Sequence, residues 1–596
     1  MSDNRQLLYF SRLTKLGVNK EIFITLPEVA EVLFTSPRHC RTLLKQMHET
    51  GWIEWTPKAG RNQRSRLYLV YSLEKLKSEL AQRLISKGKY EKALEAIDNN
   101  QELFAQLLKN TSGTQRRQGR LHIQLTYDRV FSPLLPHTPL RNSERFLLRQ
   151  VYSCLTHCTE SGEVEPELAH HWISDDTKLS WKFYLRPHLR FHDSTSITST
   201  EVVTLFEQLR TLPLYEKELA HIESINAPNS LCVEFVLSKP DADFAALMSD
   251  IKYSIQPSHQ LSGIPNSVIG SGIFQVQEHS DQRLTLQAYE GYHGFRALTD
   301  TVTVWQLPTH NDDVFGDTKL QAGITKQLSP KEPTPKQSES LCSNYLSVEG
   351  AKESETNQPD EDTLKSRIEE GCLLAIVNDS ANLSLLQREY LSQLFDADHL
   401  LEELSNTKNN VEAVPAYNLL PGWMKMLPTG KSIHPLPENL TIAIFEHHAL
   451  QKCAEATSVI LSKVGVTCTI NTYSFDTFYK KARNQALTED IVMTSMNLDD
   501  NRPVSAFCWM LSNPVLNQCL SKETREWLEQ KLYDVRSNQL ATSYMKELES
   551  IASALITSHH LIPMFHHKQT LRFEGVLKSV SINVWGWPEL RDVWAD

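Results

Sequence analysis

The sequence predicts a multidomain chain: an N-terminal winged helix-turn-helix, a helical connector, and a large two-lobed α/β domain. Three observations predict it. At 596 residues the chain is too long for one hydrophobic core. Its charge is divided unevenly: residues 1–70 hold eleven Lys or Arg against six Asp or Glu, a net of +5. The whole chain carries −11, which leaves −16 for residues 71–596. Finally, helix–turn–helix–hairpin patterning occupies the basic end, and alternating strands and helices fill much of the acidic remainder.

The basic end reads in order. Thr25 opens "TLPEVAEVL" with Glu28 three residues on, a capping box at a helix start. Leu26, Val29, Ala30 and Leu33 then recur at helical spacing. Ser36 and Pro37 form an N-cap and first-turn proline, and this second helix should end at Gly51. Cys40, Leu43, Leu44 and Met47 lie on one face of that helix, and Arg38, Arg41, Thr42 and Lys45 on the other. "WIEWT" and "RLYLV" read as strands joined by "PKAGRNQR". Double-stranded DNA is the partner this pattern suggests. Ser36, Arg38, His39, Arg41, Thr42 and Lys45 would address the major groove. Lys58, Arg61, Arg64 and Arg66 of the hairpin would meet phosphates or a minor groove. The competing reading is a solvated basic face on a small protein-binding domain.

These segments give domain 1–71. Residues 72–118 are expected to be a connector, with Leu73, Leu76, Leu80 and Leu84 on one helical stripe. "KGKYEKALEAI" resembles one helix of a tetratricopeptide repeat, but a single copy makes no solenoid. "TSGTQRRQGR" reads as an exposed link, and "LHIQLTY" from Leu121 as the next strand.

The acidic remainder contains "GEVEPELAHHW", "WKFYLRPHLRFHDSTSITSTEVV" and "VIGSGIFQVQ" in order. Through Pro166, Leu168, Ala169, Trp172, Leu185, Arg186, Phe191, His192 and Asp193, it resembles the family 5 solute-binding proteins of peptide and nickel transporters. Thr198 with Glu201 and Gly270 with Gly272 extend the match, while Ser194 replaces a customary Gly and Ile273-Phe274 replaces Pro-Tyr. The resemblance implies a two-lobed, periplasmic-binding-protein-like α/β fold over about residues 119–596. Arg186, His192 and Asp193 are expected to fix a hairpin, not to perform chemistry. Lobe I would open with residues 119–310. Residues 326–363 hold four prolines and few apolar side chains, and should form a flexible insertion. "LTIAIF", "ALQKCAEATSVILSKVG", "TCTINTY", "DTFYKKARNQA" and "DIVMTS" give a βαβαβ pattern within lobe II, residues 364–540. Residues 541–596 would return the chain to lobe I.

Ligand contacts in such a cleft combine aromatics with a few fixed polar groups. The candidates are Trp423, Asp499, Asp500, Trp509, Trp585 and Trp587, and for each tryptophan burial in a core competes equally. "MNLDDNRP" stands where peptide-binding relatives carry an Asp-Tyr-x-Asp-Pro type segment, so a peptide ligand is not indicated. His559-His560 and His566-His567 lack companions at metal-ligand spacing. Ten scattered cysteines read as reduced thiols, with no metal and no cofactor expected. The first residues lack a signal-peptide pattern, and no apolar run reaches the ~18 residues of a membrane span, so a cytoplasmic location is expected.

"RHCRTLLKQMHETGWIEW", "AGRNQRSRL", "LAHHW", "YHGFRALTDTV" (Tyr292 to Val302) and "SRIEEGC" (Ser366 to Cys372) together resemble the SgrR family, bacterial regulators of sugar-phosphate stress. The resemblance implies a cytoplasmic transcription factor that senses a small-molecule effector, with a sugar phosphate as the family's candidate. It would activate a small-RNA or transport gene and repress its own. The alternative is a transporter-type solute-binding protein with no regulatory role. No P-loop, dinucleotide fingerprint or nucleophile–base pairing stands at a credible position, so no enzyme is expected.

Overall fold

The computed structural model describes residues 3–306 except 59, 61–62, 87–88, 101–102, 105–106, 108–114, 118–119, 128–129 and 264–266. Beyond these it describes 321–322, 339–340, 345–349, 364–368, 370–405, 411–412, 414–427, 433–566, 568–574, 577–578 and 589–595. The chain forms two compact units, Met1–Gly113 and, in the main, Thr114–Asp596.

The N-terminal unit runs α1 (Asp3–Leu13), β1 (Glu21–Ile24), α2 (Leu26–Val32), α3 (Pro37–Glu49), β2 (Ile53–Thr56), β3 (Ser65–Leu69), α4 (Leu73–Ser86) and α5 (Tyr90–Ala96). The capping box forms: Glu28 N donates to Thr25 Oγ1 at 3.4 Å and Thr25 N to Glu28 Oε2 at 2.8 Å. Ser36 caps α3 through His39 N at 3.3 Å. Gly51, at φ +75°, lets the chain turn back after α3, with Trp52 N donating to Met47 O at 2.9 Å. The three strands pair antiparallel in the order β1-β3-β2. Cys40, Leu43, Leu44 and Met47 are fully buried with Phe10, Leu13, Val29, Leu33 and Leu67.

The expected connector is part of this unit. Leu76, Leu80 and Ala96 join the same buried cluster as α3, because a leucine stripe of that length needs an apolar surface to cover it. α1 and β1, which the motif reading did not include, complete the sheet and the core.

The larger unit is built on two principal sheets. In one, Phe274–His279, Arg283–Ala288 and Thr301–Gln306 form a meander, and Thr301–Gln306 pairs parallel with Arg120–Tyr127. The other runs Val414–Pro415, Leu561–His566, Gly371–Val377, Ile491–Asn497, Asn439–Phe445, Thr467–Tyr473. Its last three strands are parallel, the geometry of the anticipated βαβαβ unit. Gly371–Val377 and Leu561–His566 are buried at every position, which suits their continuous apolar sequence. A four-stranded antiparallel sheet, Ile222–Asn229, Cys232–Leu237, Ser180–Leu185 and Ala169–Ser174, packs into one continuous core with the second principal sheet.

Two expected boundaries change, and part of the expected insertion is a strand. Leu364–Ile368 lies in the first sheet against Lys568–Glu574, so the second lobe begins at about Gly371, not at 364. The helix Ala541–Thr557 and strand Leu561–His566 stay in the second lobe, because that strand's apolar run is buried beside Gly371–Val377. The return to the first sheet therefore comes after His566, not at 541. The expected flexible insertion, 326–363, falls mostly outside the described residues, but Tyr345–Glu349 is a strand paired parallel with Lys568–Glu574. Its Tyr, Leu and Val favour that state. Among the described residues, no helix is long and apolar enough to cross a membrane.

Candidate DNA-binding face and interior ligand site

Two sites follow from this framework, each within one unit. The first is the outer face of α3. With its inner residues fully buried, the helix cannot rotate, and Arg38, Arg41, Thr42 and Lys45 are held exposed. Arg38 and Arg41 make no ion pair among the described residues. Lys45 lies 3.7 Å from Glu49 one turn on, an exposed pair of little strength. Thr42 Oγ1 donates to Arg38 O at 3.4 Å, and Ser36 is exposed at the cap. His39 is half-buried, its ring edge-on to Tyr9 at 5.9 Å, so it supports the helix as well as bordering the face.

The hairpin differs from expectation. Lys58 is exposed near its tip, and Arg61 lies outside the described residues. Arg64 donates to Phe23 O at 3.3 Å and stands 3.8 Å from Glu28. Arg66 sits between Glu21, at 2.8 Å, and Glu54, at 3.7 Å, on the two flanking strands. It is thus a cross-strand tie in β1-β3-β2 before it is a phosphate contact.

The second site is a polar cluster inside the larger unit. Gly270 and Gly272 place it. A Cβ on Gly270 would lie 2.0 Å from Val151 O, and one on Gly272 2.5 Å from Val151 C. The Gly-x-Gly turn therefore runs directly against the end of helix Asn142–Val151, with Gly272 N donating to Val151 O at 2.8 Å. His192 fastens the other side, accepting from Gly270 N at 3.2 Å and contacting Gly272 O at 3.0 Å. Asp193 accepts from Thr195, and Arg186 donates to Glu167 O at 2.7 Å. Asp193 thus holds its own turn, as expected, whereas His192 and Arg186 tie that segment to distant backbone.

The fixed helix end carries Arg149. Its guanidinium donates to both oxygens of Asp499, Nη2–Oδ2 at 2.8 Å and Nε–Oδ1 at 3.4 Å, and to Ser249 O at 3.0 Å. Asp499 is completely buried, and its backbone N–H donates to Ser505 Oγ. This aspartate is therefore a neutralised structural anchor and is not held free for an incoming ligand. Asp500 follows, its N–H donating to Asp499 Oδ1 at 2.7 Å. Burial, reinforced by the neighbouring Asp499 charge, raises its carboxyl well above the usual range and favours the protonated form.

Around this pair the titration of several groups is displaced. Burial pushes Glu167 up to about 7, against the opposing pull of Arg149. Burial and then Arg149 lower His157. Burial raises Tyr292 to about 12, helped by Glu167. His293 is lowered to about 4 by burial and by Arg186 and Arg591. Sequence reading missed Arg149, His157, Glu167, Tyr292 and His293. The available signal was Arg149 itself, a cation among Phe146, Leu147, Leu148 and Val151 on a helix whose neighbours are buried.

Among the expected aromatics, Trp423 and Trp509 are partly buried against the main core. The Trp509 indole N–H has no hydrogen-bond partner among the described residues, and neither ring hydrogen-bonds to the aspartate pair. Trp585 and Trp587 lie outside the described residues. Of the two histidine pairs, His567 lies outside the described residues, and His566 Nδ1 contacts Gly371 O at 2.8 Å.

Comparison with known proteins agrees with both halves. Residues 5–119 match the model "Sugar transport-related sRNA regulator N-term", and residues 163–326 the middle region of the bacterial extracellular solute-binding proteins, family 5. The HTH-type transcriptional regulator SgrR of Photorhabdus laumondii is 29% identical over 609 residues, covering 100% of this chain and 99% of its own. That of Pectobacterium atrosepticum is 29% identical over 602 residues with the same coverage. Among solved structures, the Escherichia coli murein tripeptide binding protein MppA aligns at TM-score 0.56 and 18% identity, over 80% of this chain and 97% of its own. The periplasmic binding protein DppA of Helicobacter pylori aligns at TM-score 0.59 and 14% identity, over 80% and 98%. At these identities the structures establish the fold alone.

Proposed function

We propose that the chain, which aligns along its whole length with SgrR regulators, is a member of that family: a DNA-binding transcriptional regulator acting in the cytoplasm and not an enzyme. The observation that carries this reading is α3: one face fully buried, the other presenting Arg38, Arg41, Thr42 and Lys45 to solvent. In the major groove, the two arginines can address guanine edges while Thr42 and Lys45 support them. Lys58 and Arg64 of the hairpin would lie along the backbone. The relatives named as HTH-type transcriptional regulators align with 100% of this chain, N-terminal unit and larger unit alike, which disfavours a transporter subunit.

In the same reading the larger unit senses a small molecule. Asp499 is already neutralised by Arg149, which argues against a ligand held by its amine. A sugar phosphate is the candidate effector, on the match of residues 5–119 to the sugar transport-related sRNA regulator model. The effector then alters transcription only if it binds the DNA-competent and incompetent states with different affinity. Activation of a small-RNA or transport gene and repression of its own gene would be two outputs of that equilibrium.

The test is fluorescence anisotropy of the full-length protein on DNA from upstream of its own gene, at two salt concentrations, against scrambled DNA. Salt-sensitive preference for the upstream DNA is expected, together with a shift in affinity on adding glucose 6-phosphate. Equal binding to scrambled DNA would remove the regulator reading. Preference without a shift would remove the sugar phosphate as effector.

A further inference from the structure

His559-His560 stands without companions in the sequence, but the fold supplies them. His560 leads into strand Leu561–His566, and its carbonyl accepts from Val377 N at 3.0 Å, at the end of strand Gly371–Val377. Two helices reach this point. Helix Leu385–Leu394 brings Arg388 and Ser392, and the first turn of helix Lys522–Asn538 brings Thr524. His559, at φ +55°, contacts Ser392 Oγ through Nδ1 at 2.9 Å. Gly371, at the other end of the same strand, lies opposite Asn497, two residues before Asp499. A strand rise of ~3.3 Å per residue therefore separates this cluster from the aspartate pair by about 20 Å.

The cluster leaves two buried donors unanswered. Thr524 Oγ1 accepts from Ser521 Oγ at 2.9 Å, so its own proton is directed to His560 Nε2, 3.4 Å away. Burial, then the Arg388 charge, lowers His560 to about 4, so the ring is neutral and carries one proton. With Nε2 accepting, that proton is on Nδ1. His560 is 5% exposed, and its buried Nδ1 has no hydrogen-bond partner among the described residues. Arg388 repeats the pattern: its buried Nε has no partner among the described residues, and its guanidinium forms no ion pair with them. Asp379 opposes the cost of burying this charge, but from beyond ion-pair distance. Glu389, the other carboxylate acting here, is felt at His559.

A buried N–H without an acceptor carries the full desolvation cost of that donor. Here there are two, one of them on a cation that acts on the other, and no carboxylate answers either. Water could accept from them but would leave the charge unpaired, whereas an oxyanion offers lone pairs to both and the opposite charge. We propose that Arg388 and His560 form a binding site for a small oxyanion of the phosphate kind, at the end of the second lobe remote from Asp499. The proposal does not depend on the regulator reading.

Isothermal titration calorimetry of the full-length protein with inorganic phosphate, in Tris chloride at constant ionic strength, tests it. Saturable binding to wild type is expected. Arg388→Gln removes the charge, and His560→Gln removes the Nδ1 donor while its amide can still reach Thr524. Each should weaken phosphate about ten-fold or more. His560→Asn, which returns an N–H near the Nδ1 position, should keep most of the affinity. Arg388 is half-buried on the helix, so Arg388→Gln decides alone if the histidine variants unfold. No saturable binding to wild type overturns the proposal and leaves both donors to water. Binding that Arg388→Gln and His560→Gln leave unchanged also overturns it, because the phosphate then lies elsewhere. So does an equal loss in His560→Asn and His560→Gln when both melt like wild type. Once phosphate has met these tests, glucose 6-phosphate names the source. Binding that Arg388→Gln weakens assigns the site to the phosphoryl group of a metabolite, and binding unaffected by it assigns the site to the free ion.

Discussion

Arg38 and Arg41 are exposed and unpaired among the described residues, whereas Arg64 and Arg66 already face carboxylates. The same residue type should therefore give different losses. Arg38→Ala or Arg41→Ala should cost about 1–3 kcal/mol on the preferred site for each lost base contact, and less on scrambled DNA. Arg64→Ala should weaken all DNA similarly and flatten the salt dependence. Paired titrations on the two DNAs separate these, and uniform losses for all three would place the recognition surface elsewhere. The buried ionisable groups make a second prediction at this scale. Burial holds His192, His293 and His560 down to about 4, so in the native state they stay neutral where the unfolded chain takes up protons. Their contribution is complete above the unfolded value near 6.5 and is lost as pH falls towards 4. Glu167 has the opposite sign: raised to about 7, it destabilises progressively as pH rises from about 4.5 through 7. His137, His157, His221, His279, His559 and His566 are lowered as well, so the lowered histidines outnumber the raised carboxyls Glu167, Asp243 and Asp500; stability should climb with pH, and Glu167→Gln should steepen the climb. Urea midpoints at pH 5 and pH 6.5 for both proteins read this directly; an unchanged difference between them would show that Glu167 does not titrate as argued.

Elements were legible where local chemistry alone fixes them. α3 announces itself through Ser36-Pro37 at one end, Gly51 at the other and an apolar face between, and each feature acts within the helix. The capping box at Thr25 is similarly self-contained. β1 was not legible, because "EIFI" is a four-residue edge strand that exists only by pairing with β3, forty residues on. The Arg149–Asp499 pair was hidden for the same reason: its members are 350 residues apart, and nothing near either one names the other. The Gly-x-Gly turn stands between these cases. It was visible as a motif, but its purpose appears only when Val151 is seen against it. Gly270→Ala would place a Cβ 2.0 Å from the Val151 carbonyl oxygen, which is backbone and cannot move aside cheaply. The helix end must shift and take Arg149 with it, leaving Asp499 buried without its partner, a loss on the order of 3–5 kcal/mol. Gly270→Ala should therefore lower the melting of the larger unit by that order of free energy. A variant that melts like wild type would mean that the turn can move away from the helix.

Across the whole molecule, the divisions of charge, of core and of role all fall in one place. Residues 1–70 hold the positive balance, the cluster containing α3 closes on itself by Ala96, and the compact N-terminal unit ends at Gly113. A unit with a complete core needs no neighbour to fold, and a helix whose inner face is already buried needs no neighbour to present its outer one. It follows that a fragment of residues 1–113 should fold by itself and keep the preference of the full chain for its upstream DNA. The fragment lacks the two principal sheets of the larger unit, the Arg149–Asp499 anchor and the displaced groups around it, so an effector of that unit has nothing in the fragment to distinguish two states. Glucose 6-phosphate should then shift the DNA affinity of the full chain and leave that of the fragment unchanged. Circular dichroism melting establishes that the fragment folds, and the anisotropy titration is repeated on it. A fragment that melts cooperatively yet responds to the sugar phosphate would move the sensor into the N-terminal unit. One that folds but no longer prefers its DNA would mean that the larger unit contributes to the DNA-bound state directly.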